Sequence, residues 1–106
     1  MKVAVAATSA DTDAYVDERG ARAPYYLILD SETGLFEFFP NPVGEGKGSA
    51  GIQVAEFLIG KGVENVIAGE FGERFRMALE KGGAICIQRA GAISWIFPGL
   101  DRQGII

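Results

Sequence analysis

Histidine is absent from this chain, and cysteine occurs once, at Cys86. Without imidazole, neither a Ser-His-Asp nor a Cys-His catalytic arrangement can be assembled, and no metal site can use histidine nitrogens. A single thiol forms no intramolecular disulfide, which fits a reducing, cytoplasmic setting. A basic excess is lacking as well: 10 Lys and Arg stand against 14 Asp and Glu, for a net charge of −4. The electrostatic footprint of a nucleic-acid binder is therefore missing. Long apolar runs are also missing. The opening Met1-Lys2-Val3-Ala4-Val5-Ala6-Ala7 is too short for a signal-peptide core and soon meets Asp11 and Asp13. No segment approaches the length of a membrane span.

What is present describes a small globular chain. It has 106 residues, 48% of them apolar, with 15 glycines falling mostly between periodic stretches. That length suits one domain, residues 1–106, and is enough for a core without disulfide or metal staples. Lys2 to Ala7 reads as a short buried strand followed by a polar loop. Tyr15 to Pro24 shows no clear period. Tyr25 to Leu29, rich in β-formers, reads as a central strand, and Asp30 to Gly34 as a turn into a hairpin partner, Leu35 to Phe39. Phe36 and Phe38 then share one face, with Leu35, Glu37 and Phe39 on the other. Pro40-Asn41-Pro42 stops the strand.

After a glycine-rich loop, Ser49 is an N-cap candidate for a helix to about Gly60, with Ile52, Ala55, Leu58 and Ile59 on its apolar face. Val63 to Ala68 gives a strand, and Phe71, Phe75, Ala78 and Leu79 mark a second helix stopped at Gly82-Gly83. Ala84 to Ile87 gives a last strand, and Gly91 to Phe97 one or two helical turns before Pro98. The β-α-β-α-β half calls for parallel strands with right-handed crossovers, and the hairpin adds antiparallel pairing. The fold class is α/β.

Few residues suggest chemistry. Gly46-Lys47-Gly48-Ser49-Ala50-Gly51 is a formal G-x-G-x-x-G, with Glu70 about where a ribose-binding acid would fall. Six residues separate the glycines from the preceding strand, so the dinucleotide context is wrong, and the P-loop spacing is not met. A loop of this kind at a helix start still suits an anionic ligand. Asp11, Asp13, Asp17, Glu18, Asp30 and Glu32 fall in loops and a turn, where acids are ordinary. Cys86 in Ile85-Cys86-Ile87 reads first as a small core hydrophobe, and functionally as a soft thiolate ligand at a sheet edge. Tyr25, Tyr26, Phe36, Phe38 and Phe39 read as core, while Trp95 and Phe97 suit either core or an oligomer contact.

The order of short motifs is familiar. Arg22-Ala23-Pro24-Tyr25-Tyr26 precedes a strand, and Asn41-Pro42 follows the hairpin. Gly48-Ser49-Ala50-Gly51-Ile52-Gln53 then opens a helix, and Val66-Ile67-Ala68-Gly69-Glu70-Phe71-Gly72 comes after it. From Met1 to about Cys86 this series resembles the dinitrogenase iron–molybdenum cofactor biosynthesis family. The resemblance implies a ribonuclease H-like α/β fold, a mixed five-stranded sheet with flanking helices but without that enzyme's acidic site. It also implies a non-catalytic domain that binds or carries an iron–sulfur or iron–molybdenum-type cluster or its precursor. A metallocofactor-assembly protein would be its partner. Where the family often has His-Phe-Gly-Arg-Ala-Pro, this chain has Arg19-Gly20-Ala21-Arg22-Ala23-Pro24, and the histidine common before the first helix is also missing.

Under the carrier reading, Asn41, Gly48, Ser49, Gly51 and Cys86 line the site, with Cys86 as the metal ligand and backbone N–H groups facing an anionic cluster. Two other readings stand beside it. One is a cofactor-free interaction or regulatory module, with a sheet edge or the apolar tail forming a homodimer or touching a partner. The other is an anionic-metabolite or nucleotide binder using the glycine-rich loop.

Overall fold

The computed structural model describes residues 1–43 and 50–97. The elements in chain order are β1 (Lys2–Ala7), β2 (Tyr25–Asp30), β3 (Phe36–Pro40), α1 (Ala50–Gly60), β4 (Val63–Ala68), α2 (Glu73–Lys81), β5 (Ile85–Gln88) and α3 (Ile93–Ile96). The strands form one open mixed sheet in the order β3-β2-β1-β4-β5. β1 pairs antiparallel with β2, and β2 with β3; β1 pairs parallel with β4, and β4 with β5.

The Tyr25–Leu29 segment lies inside the sheet, as β2 between β1 and β3, and the middle strand of the five is β1. Both segments are apolar and short, so the pattern alone could not rank them. β1 wins because it alone pairs on one side with the hairpin and on the other with the parallel half.

The period of two sorts side chains cleanly between faces. Ala4 and Ala6 of β1, Tyr26 and Ile28 of β2, and Val66 and Ala68 of β4 join Val54, Ala55 and Leu58 of α1 and Phe75 and Leu79 of α2 in one cluster. Val3, Val5, Leu27, Leu29, Phe36 and Ile67 face the other way and meet Ala14, Val16 and Ile93. The helix-covered face carries alanines at the centre of the sheet, which lets α1 and α2 lie close to it.

One helix residue departs from the expected face. Ile52 is 43% exposed, whereas Ala50, Val54, Ala55 and Leu58 are buried. Ile52 stands two residues from Val54, about 200° around a helix of 3.6 residues per turn, and so points away from the sheet. The N-cap read at Ser49, and Gly46 and Gly48, lie outside the described residues.

The segment without a period, Tyr15 to Pro24, is held by backbone bonds to two different neighbours. The Asp17 N–H donates to Ala6 O (2.8 Å), Gly69 N–H to Asp17 O (3.0 Å), Glu70 N–H to Glu18 O (2.8 Å) and Gly20 N–H to Glu70 O (3.1 Å). Residues 16–20 thus form a strap across the carboxyl ends of β1 and β4. No described helix is long and apolar enough to cross a membrane.

Candidate functional site

In open α/β sheets, ligands sit beyond the carboxyl ends of the parallel strands. Here that ground is taken by the strap, and two glycines make the close fit necessary. A Cβ at Gly20 would lie 2.7 Å from Glu70 O and 2.9 Å from the Phe75 ring; one at Gly69 would lie 2.6 Å from the Glu18 Cα. Any side chain at either position would push the strap off the sheet. A ligand at this end therefore meets the strap, not the strand ends.

Asp17 anchors the strap. It is buried, the carboxylate being 5% exposed. Arg19 donates to it three times: from its backbone N–H to Oδ1 at 2.8 Å, from Nε to Oδ1 at 3.0 Å and from Nη2 to Oδ2 at 3.0 Å. Burial by itself pushes the Asp17 carboxyl up, but these hydrogen bonds and the Arg19 charge outweigh it and hold the group below its ordinary value. Asp17 therefore stays charged at neutral pH. The Arg19 side chain is itself 62% exposed, so the pair carries a cation to the surface.

The far end of the strap is tied by Tyr26 and Asn41. The buried Tyr26 hydroxyl donates to Gly20 O. Burial, and then the Asp17 charge, push the Tyr26 phenol well above its ordinary range, so it stays neutral. Asn41 Nδ2 donates to Ala21 O at 3.0 Å and Ala23 O at 2.8 Å, and Asn41 Oδ1 accepts from the Val43 N–H at 2.8 Å. The Asn41 amide thus fastens residues 21–23 to the end of β3.

Of the sequence candidates, Gly51 joins this assembly. A Cβ there would meet the backbone N of Phe75 at 3.1 Å, and the ring of Phe75 also lies against Gly20. Gly48 and Ser49 lie outside the described residues. Cys86 is elsewhere. It sits on β5 opposite Val66, half-buried on the helix side of the sheet. β3, which leads into Asn41, and β5 are the two sheet edges, about 19 Å apart at ~4.8 Å per strand spacing. Asn41 and Cys86 therefore do not face one small ligand together.

The donor set around each candidate limits what it could hold. Burial raises the Cys86 thiol above its ordinary value of 9.0; Arg76 pulls it down, and Glu80 pushes it up again. It is a protonated thiol at neutral pH rather than a ready thiolate. Among the described residues no group of three or more His, Cys, Asp or Glu is placed to hold a metal ion. Every buried side-chain polar atom among them has a hydrogen-bond partner. The residues present do not fit a cluster bound through several protein–metal bonds.

Sequence reasoning missed Asp17, which reads as one more loop acid. The available signal was local: an acid two residues before Arg19, in a glycine-containing stretch, is the pattern of an Asx turn.

The fold and this strap define a small α/β domain with a mixed five-stranded sheet and helices packed on it. The sequence model of the dinitrogenase iron–molybdenum cofactor family matches residues 1–94, and the chain belongs to that family. No curated protein matches the sequence. Among solved structures, the chain is similar to an NMR structure of a Thermotoga protein described as a NifB candidate. The two are 28% identical, over 95% of this chain and 87% of that one, with a TM-score of 0.78. It is also similar to the apo form of the orange protein from Desulfovibrio gigas, at 25% identity over 96% of this chain and 88% of that one, with a TM-score of 0.75. A further crystal structure, 18% identical over 100% of this chain and 96% of that one, shares the fold with a TM-score of 0.79.

Proposed function

We propose that this chain is a non-catalytic domain that binds an anionic metallocofactor, or its precursor, as cargo and hands it on within a cofactor-assembly system. The observation that carries this reading is family membership over residues 1–94. The similarity to a protein whose structure is described as an apo form supports it further, since that word names a state lacking a bound group.

The donor set decides how such a cargo would be held. With no histidine and a protonated Cys86, protein–metal bonds are a poor means. Cationic and N–H donors toward the outer sulfur or oxygen atoms of the cargo are a better one. Arg19, carried on the Asp17 anchor, and the exposed Arg22 three residues on present such charge at the strap. Arg19 stands where the resemblance has a histidine, so the exchange replaces a metal ligand by an anion donor of fixed charge. Gly51, with Gly48 and Ser49 before it, belongs to the same proposal through the backbone N–H groups of the α1 start. Cys86 remains the alternative point of attachment, at the other edge of the sheet.

The test is anaerobic incubation with iron and sulfide, followed by gel filtration, visible spectroscopy and iron analysis. It is run on the parent chain, on the double variant Arg19→Ala with Arg22→Ala, and on Cys86→Ala. Colour and iron that travel with the parent and with Cys86→Ala, but not with the double variant, support anion-type binding at the strap. Loss in Cys86→Ala alone moves the site to β5. Neither colour nor iron on any of the three, with tetrathiomolybdate also failing to co-elute, overturns the carrier reading.

A further inference from the structure

α1 and α2 precede the parallel strands β4 and β5, and the two helices run in the same direction side by side. They are in close contact at both ends. Near their starts Gly51 meets Phe75, and near their ends Ile59 lies over Gly82, where a Cβ would be only 2.7 Å from the Ile59 side chain. Between these closures the residues are small, Ala55 on α1 and Ala78 on α2, and the groove they floor has a volume of about 760 Å³. That size is in the range in which proteins receive small molecules. Its lips are two exposed apolar side chains, Ile52 at 43% and Met77 at 61%. Gly51 stands level with Phe75, so Ile52 and Met77 stand nearly opposite each other across the slot. Among the described residues, the charges lining the groove are Glu56 on α1 and Arg74 and Lys81 on α2, one acid against two bases in a chain of net charge −4. Glu73, beside Arg74 in the chain, is not part of the lining.

We propose that this groove is a binding site for a free, single-chain amphiphilic anion, a medium-chain carboxylate whose head meets Arg74 and whose chain lies along the Ala55–Ala78 floor. The net positive lining is complementary to one negative charge. Where that charge sits is decided by the helices. Both start at the Arg74 end, so both bring the partial positive charge of their first turns there, and the planar guanidinium offers a carboxylate two parallel donors. Lys81 stands at the other end, among the last turns, where its own charge already answers the helix carbonyls. Glu56 lies one turn beyond Ile52, toward that same end, and repels a carboxylate from it. Arg74 and the closure at Gly82 are about 12 Å apart at ~1.5 Å of rise per residue, the extended length of a chain of about ten carbons. The chain runs between Ile52 and Met77 and ends against Ile59, and the unbranched thioether of Met77 can fold over it. A partner helix, about 10 Å across, would ride on the two lips and not enter the slot between them.

The site does not depend on the cargo, and either can fail without the other. The test is titration of the whole chain with decanoate, below its micelle-forming concentration and at neutral pH, followed by amide shifts in nuclear magnetic resonance spectra. Saturable shifts should centre on Ile52, Ala55, Met77 and Ala78. Butyrate, which has the head without the chain, and decyltrimethylammonium, which has the chain with the opposite charge, should each bind at least tenfold more weakly. Arg74→Glu should weaken decanoate binding by about tenfold or more, the range for losing a charged hydrogen-bond partner, and Glu56→Gln should strengthen it. Ile52→Glu, at an exposed position, should abolish it with the melting temperature kept. A groove whose signals do not move with decanoate overturns the proposal. So does equal binding of decyltrimethylammonium, an Arg74→Glu variant of unchanged affinity, or shifts at these residues that appear only with phosphatidylglycerol vesicles, which would make the face a membrane contact.

Discussion

Asp17 and Arg19, two residues apart, close on each other through both carboxylate oxygens, and the buried acid thereby fixes where the exposed guanidinium stands. The strap they organise covers the carboxyl ends of β1 and β4, the ground where open α/β sheets otherwise receive a ligand.

The pair should make stability depend on pH in a definite direction. The folded-state Asp17 carboxyl lies below its ordinary value of 3.8, so the folded chain binds that proton less readily than the unfolded one. The stability it contributes is full above about pH 4 to 5 and is lost as pH falls through the depressed folded value. Asp17→Asn should cost about 1–3 kcal/mol at pH 7, the range for removing a hydrogen-bonded charged partner. The gap to the parent should narrow below pH 4. Urea unfolding across about pH 2.5 to 7, which brackets the ordinary carboxylate range, measures this, and a gap that is flat with pH would refute it.

Asn41 should behave as a fastener. Its amide bonds two strap carbonyls and receives the Val43 N–H. Asn41→Ala should destabilise by about 1–3 kcal/mol, because buried acceptors lose their donors. Asn41→Asp should cost more, since a carboxylate would face the Ala21 and Ala23 carbonyl oxygens without hydrogens to give. Chemical denaturation reads both. An Ala variant within about 0.5 kcal/mol of the parent, the range of an ordinary surface change, would show that the amide does not hold the strap.

Cys86 should be a slow nucleophile. Its thiol lies above the ordinary 9.0 because burial and Glu80 outweigh Arg76. Alkylation by iodoacetamide at pH 7 should be slower than for a free cysteine, since the thiolate is the reactive form. The rate should still be climbing at pH 9. Arg76→Ala should slow it further, and Glu80→Gln should speed it. A rate that levels off below pH 8 would contradict this.

Much of the fold was legible in local pattern. The short buried strand from Lys2 to Ala7, the Phe36–Phe38 face of β3, and the spacing of Phe75 and Leu79 on α2 each matched the structure. These features arise from side-chain periodicity, which is written in neighbouring residues. Ile52 was misplaced because an 11-residue helix rich in apolar residues has more than one plausible stripe. The site was less legible. Asn41 could be seen as a residue of interest, but its partners Ala21 and Ala23 stand about 20 positions back in the chain. Asp17 could not be told from Asp11 or Asp13, since all three are acids in a polar stretch.

By itself the sequence determined which side chains are at hand: no imidazole, a single thiol and a net charge of −4. It also determined the order of strands and helices, and the series of motifs that marks the family. Tertiary structure alone decided that Asp17 is buried while its neighbours in type are not, and that Asn41 and Cys86 stand at opposite sheet edges. It also left Ile52 and Met77 beside one groove. The physical reason is the same in each case. Burial, charge pairing and shared sites depend on which distant segments lie against one another, and only the packed sheet brings the strap, the helices and the edge strands into those positions.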